Sequence, residues 1–159
     1  MRRTVPVLAL AVVALVGRPA PAHADITAFL GFSPTPDTRS ARGLAVSVNL
    51  LVLGFEYEFS RTVEEELKGA PSLTTNMFNV MLITPTGGIQ LYVTGGAGFY
   101  RERLLDEQET GFGTNFGGGA KITLAGPLRM RVDYRVFNLR SMPFFPSPKR
   151  FYVGIALAF

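Results

Sequence analysis

Across residues 128–136 the chain alternates without a break: Leu128, Met130, Val132, Tyr134 and Val136 are separated by Arg129, Arg131, Asp133 and Arg135. A period of two puts the first set on one face of a β-strand and the second on the other. Wound as a helix, the same residues would scatter both sets around its circumference. Any fold that accepts this segment must supply one surface for five apolar side chains and another for three cations and an anion.

The pattern recurs along the chain. Phe151, Val153, Ile155, Leu157 and Phe159 oppose Tyr152, Gly154, Ala156 and Ala158. Ile89, Leu91, Val93, Ala97 and Phe99 oppose Gln90, Tyr92, Thr94, Gly96 and Gly98, and Phe112, Phe116, Ala120, Ile122 and Leu124 oppose Gly113, Asn115, Gly117, Gly119 and Lys121. Leu44, Val46, Val48 and Leu50 form another such face, and Phe55, Tyr57 and Phe59 stand opposite Gly54, Glu56 and Glu58. Segments 26–33 and 76–84 alternate less cleanly, the second because Met77, Met81 and Ile83 fall on its polar face. Eight strands are therefore expected, each about long enough to cross a bilayer at a tilt.

The connections differ in length by turns. Those at 51–53, 85–88 and 126–127 are short, whereas 34–41, 61–73, 101–110 and 138–149 are longer and more polar or proline-rich. An up-and-down antiparallel barrel with turns on one rim and loops on the other gives this alternation.

Alternation leaves open which face is inside. Three features favour an ionic interior and an apolar exterior. The non-apolar face is rich in Gly and Ala, which strengthen no strand in water but leave room for large neighbours inside a narrow barrel. That face also carries both signs of charge: Glu56, Glu58 and Asp133 against Lys121, Arg129, Arg131 and Arg135. Enclosed together they form a candidate ionic network, since an unpaired buried charge is very costly. Finally Phe55, Phe59, Phe99, Phe112, Phe151 and Phe159 sit near strand ends on the apolar face, as interfacial girdles require.

The start of the chain reads as an address. Arg2 and Arg3 precede ten apolar residues at 7–16, then prolines and the small-x-small pattern Ala22-His23-Ala24. This is the layout of a secretory signal peptide with cleavage after Ala24, leaving a domain over 25–159; ten apolar residues are too few for a spanning helix. Cleavage removes three of the 16 basic residues and none of the 12 acidic ones, so the formal charge falls from +4 to +1. The remaining balance does not suit a nucleic-acid partner. With no Cys, and its one His (His23) inside the leader, the chain offers neither thiol nor imidazole chemistry. No metal and no cofactor is expected.

Two stretches carry a family resemblance. The closing segment FYVGIALAF resembles the signal by which outer-membrane barrels are recognised for assembly, with Phe151, Val153, Ile155, Leu157 and Phe159 as its alternating residues. Gly117-Gly118-Gly119-Ala120, followed by a Gly-Pro turn and LRMRVDYRVF, resembles the eight-stranded outer-membrane β-barrel family, similar to the membrane domain of OmpA. The resemblance implies placement in the outer membrane of a Gram-negative-type envelope. It also implies contact with outer-membrane lipid and lipopolysaccharide, and use of the barrel assembly machinery. With no segment after Phe159, no peptidoglycan-binding role is expected.

Some barrels of this family modify lipids through a Ser/His constellation, for which the domain has no His. Glu56 and Glu58 could be paired catalytic carboxylates, but the adjacent cations favour a structural role, and catalysis is not expected. Glu64, Glu65 and Glu66, with Asp106, Glu107 and Glu109, read as solvated loop charge. The motif Met142-Pro143-Phe144-Phe145-Pro146 places an apolar cluster between prolines. Closure over the rim is expected slightly ahead of partner binding, with entry into the lipid interface as a third reading. The reading is an all-β, eight-stranded antiparallel up-and-down transmembrane barrel, a monomer that displays its loops around a side-chain-filled lumen. The alternatives are a narrow pore for small solutes and a soluble lipocalin-like periplasmic binder.

Overall fold

The computed structural model describes residues 22–141 and 143–159. Most of the leader read at 1–24, its apolar run included, lies outside the described residues, as does Met142 of the proline-rich loop. Eight strands follow one another: β1 (Ala22–Ser33), β2 (Arg39–Leu50), β3 (Leu53–Thr62), β4 (Ser72–Ile83), β5 (Ile89–Leu104), β6 (Glu107–Ala125), β7 (Leu128–Leu139) and β8 (Lys149–Ala158). Each pairs antiparallel with its neighbours in sequence, and β8 pairs with β1 to close the barrel. Closure leaves no unpaired edge. The two weakly alternating segments are both full strands of twelve residues.

The barrel is polar within and apolar without. Asp25, Glu56, Glu58, Lys121, Arg131, Asp133, Arg135 and Arg150 are buried, while Leu30, Phe78 and Phe116 are exposed to 71, 64 and 68%. Val153, Ile155, Leu157 and Phe159 likewise face outward, and Phe151 does so half-buried. A soluble barrel has the opposite polarity. Met77, Met81 and Ile83, which break the polar face of β4, point inward. There they belong to two apolar plugs: Leu73, Met77, Tyr100, Phe137 and Leu139 towards the long-loop end, and Met81, Ile83 and Tyr92 towards the other.

The short connections are those expected, and the β6–β7 turn uses the positive φ of Gly126 (53°). On the opposite rim the expected loop at 101–110 is instead strand. Arg101 to Leu104 pair with Thr110 to Glu107, leaving only Leu105 and Asp106 as the turn. Alternation fails as a signal here because both faces of this hairpin are polar: Arg101 and Arg103 stand exposed outward, while Glu102 is buried inward. The remaining outer loops are 34–38, 63–71 and 140–148, each shorter than the sequence suggested.

Candidate functional site

β3 and β7 stand four strands apart, which in an eight-stranded barrel is directly across the lumen. Period-two alternation points Glu56 and Glu58 inward from one, and Arg131, Asp133 and Arg135 inward from the other. Glu56 accepts from Arg131 Nη1 and, at 2.6 Å, from Arg135 Nη2. Arg135 also meets Asp133 Oδ1 at 2.9 Å and Glu58 Oε2 at 3.2 Å, and Arg131 reaches Asp133 Oδ2 at 3.2 Å. Arg150, from β8, closes the cluster on Glu58. Three carboxylates thus face three guanidiniums. The delocalised guanidinium, with five donors in a planar fork, suits such multiple pairing better than an ammonium.

Neutral groups take up several of the remaining valences, while Arg150 Nε and Asn115 Oδ1 are buried without a partner. Tyr92 donates to Asp133 and accepts from Arg131 Nε at 2.8 Å. Asn79 donates to Glu56 at 3.2 Å and accepts from Asn115 at 2.7 Å. The Arg131 guanidinium lies 4.9 Å from the Tyr92 ring centroid, and that of Arg150 lies 5.0 Å from Phe137 and 5.2 Å from Phe29. Phe29 stacks on Tyr152 at 4.0 Å. The cavity beside Arg150 measures about 10 Å³, room for one water at most, and a wider one of about 310 Å³ lies at the short-turn mouth beside Asn49, Ile83 and Gln90.

The structure corrects the expected network in three places. Arg129 does not join it, because it lies one residue into β7 at the short-turn mouth, where it donates to Gln90 at 3.1 Å. Lys121 is buried beside Arg131, its register partner on β7, but pairs with Asp25 at 2.6 Å and Ser47 at 3.3 Å instead of with the two glutamates. Arg150 was missed because it falls just before the alternation of 151–159; carrying that period back one residue would have placed it inside.

At the other mouth the proline-rich loop folds back on the barrel. The Leu139 and Phe137 amides donate to the Pro146 and Pro148 carbonyls at 2.8 and 2.9 Å, and the Phe144 amide donates to Glu102 Oε2 at 2.8 Å. Glu102 is buried, yet it lies beyond the apolar belt, since its outward neighbours on β5 are Arg101 and Arg103. Burial raises its pKa above the ordinary carboxylate value, against the Phe144 amide and the charge of Arg39. The folded protein therefore binds this proton more tightly than the unfolded chain. Stability from this group is fully present below the unfolded pKa and is lost as pH rises through the raised one. Glu102→Gln should flatten unfolding free energy against pH in that window while keeping the loop docked. An unchanged pH profile would assign the effect elsewhere.

An ionic lumen inside an apolar eight-stranded wall is the architecture of outer-membrane barrels. No family model matches the sequence, and no curated protein matches it. Solved structures do match. A major outer membrane protein from Thermus thermophilus aligns at a TM-score of 0.69 and 11% identity, over 87% of this chain and 99% of that one. Neisserial surface protein A aligns at 0.68 and 11% identity, over 87% and 97%. The outer membrane enzyme PagL aligns at 0.54 and 12% identity, over 84% and 98%. The chain has the fold of the eight-stranded, OmpA-like outer-membrane barrels. At these identities the likeness concerns fold, and the same fold serves an enzyme as well as proteins of other kinds.

Proposed function

We propose that this chain is a small integral barrel of the outer membrane of a Gram-negative-type envelope. Its role is structural: it is a monomer that displays the outer loops and the β5–β6 hairpin around a closed lumen. The carrying observation is the balanced cluster of Glu56, Glu58 and Asp133 with Arg131, Arg135 and Arg150. It spans the barrel while Leu, Val, Ile and Phe cover the outside. Outward apolar residues are the complement of lipid tails, and inward charges need the partners they have.

Export through a leader cleaved after Ala24 completes this reading. Cleavage starts β1 at Asp25 and keeps that residue's pairs with Ser47 and Ala158. The outward row Phe151, Val153, Ile155, Leu157 and Phe159 serves as the assembly signal for the barrel machinery. A non-enzymatic role is supported by the state of Glu56 and Glu58, which are fully enclosed and held by arginines where no substrate reaches them.

The pore reading is the alternative, and the 10 Å³ cavity speaks against it. Membrane fractionation with gel migration before and after boiling tests the barrel, and planar-bilayer recording tests the lumen. We expect a heat-modifiable protein in the outer membrane, with an intact mass starting at Asp25, and no steady conductance. Recovery in the soluble fraction would overturn the membrane placement. Single-channel steps from wild type that change in Arg131→Ala would establish the pore instead.

A further inference from the structure

The outward face of the barrel carries a hollow. Where β8, β1, β2 and β3 run side by side there is a groove of about 670 Å³, walled by Leu30, Leu44, Phe59 and Ile155 around Ala28. Ala28 makes the hollow: its register partners are Leu44 on one side and Ile155 on the other, so a single methyl sits between two long side chains. Arg42 and Arg61 also line the groove, at its end nearest the outer loops.

These two arginines are direct partners across β2 and β3, both exposed, and neither forms an ion pair among the described residues. Like charges directly opposite each other destabilise an antiparallel pair. Among the described residues no carboxylate offsets that cost, whereas a bridging anion would. The register row continues through Thr74 to Arg101. The next outward row towards the short turns is Leu44, Phe59, Asn76, Phe99 and Phe112, so on β2 to β5 the cations lie at the end of the apolar belt. On β1 and β8 the belt runs one row past them, through Phe32 and Phe151. Arg101 stands two strands from Arg61, a separation of about 10 Å. Cations at that spacing suit a headgroup with two phosphates better than a headgroup with one. Guanidiniums bind phosphate through paired, charge-assisted hydrogen bonds.

We propose that this groove is a binding site for a bis-phosphorylated acyl glycolipid of the outer leaflet. One acyl chain lies over Ala28 between Leu44 and Ile155, Arg42 and Arg61 share one phosphate, and Arg101 meets the other. The assignment rests on the outer-membrane placement proposed above. A bare acyl chain would need no arginines, and a bare phosphate would need no hollow.

Native mass spectrometry of the mature protein in detergent tests it, with hexa-acylated bis-phosphorylated lipid A, its monophosphorylated form and phosphatidylglycerol as probes. Wild type should retain the bis-phosphorylated lipid about tenfold better than phosphatidylglycerol, with the monophosphorylated form between them. Arg42→Gln with Arg61→Gln should remove about tenfold of that retention. Ala28→Leu, which fills the hollow and touches no charge, should do the same, whereas Arg103→Gln, outside the row, should not. Equal retention of phosphatidylglycerol, or a double arginine variant that binds like wild type, overturns the site. Heat-modifiable migration of each variant is read in parallel. A folded variant without the expected loss counts against the groove alone, while a wild type found soluble counts against the membrane placement as well. If Ala28→Leu does not fold, the double arginine variant decides.

Discussion

Replacing Glu56 by alanine should destabilise the barrel by about 3–5 kcal/mol, the range for leaving buried charge without its partner. Two guanidiniums share this carboxylate, Arg131 from one side and Arg135 at 2.6 Å, and both are fully enclosed. Neither can turn to water: of the carboxylates Arg131 keeps only Asp133, which it shares with Arg135, and Arg135 keeps besides it only Glu58, already held by Arg150. Urea unfolding in micelles, followed by circular dichroism and gel migration, measures the loss. The matched change Glu56→Gln with Arg131→Met removes one charge of each sign and should recover most of it, since buried ion pairs contribute little net stability over apolar packing. A single variant within about 1 kcal/mol of wild type would mean that water reaches the cluster.

Gly119→Val should prevent assembly or cost at least about 3 kcal/mol, beyond ordinary overpacking because backbone as well as side chain stands in the way. A Cβ at Gly119 would lie 2.0 Å from the Val132 carbonyl oxygen and 2.6 Å from the Tyr92 hydroxyl. Moving Tyr92 breaks its bonds to Asp133 and Arg131, so the clash spreads into the ionic cluster. The yield of heat-modifiable protein after refolding measures the effect. Refolding at wild-type yield with unchanged urea stability would show that the wall yields at this point. The interior glycines therefore make space for the charged side chains, and substitution at Gly119 tests packing without removing a charge.

Much of this was legible one strand at a time. In β7 alternation alone sets Arg131, Asp133 and Arg135 on one face, and in β8 it sets Val153, Ile155 and Leu157 on one face. The Gly/Ala-rich, mixed-charge composition of the non-apolar faces then turns the ionic side inward. The signal weakened where its physical cause weakened. Met77, Met81 and Ile83 face the lumen because its plugs are apolar, so β4 has little contrast between its faces. Residues 101–104 and 107–110 form strand with polar residues on both faces, Glu102 being buried beneath the proline-rich loop, so their pattern carries no apolar face and reads as loop. Arg150 escaped notice because it precedes the first outward phenylalanine of its strand by one position.

The sequence by itself determined the number of strands, the rim on which each connection lies, and the face to which most side chains point. These depend on a two-residue repeat and on local turn chemistry. Only the closed barrel decided that Glu56 meets Arg131 and Arg135, that Lys121 turns to Asp25, and that Arg129 is left at the mouth with Gln90. Contacts across a lumen depend on the relative heights of strands three or four places apart. Those heights are set by register and stagger accumulated around the whole ring. The pairing of Arg42 with Arg61 beside the hollow at Ala28 was hidden for the same reason, since it needs three neighbouring strands aligned before it exists.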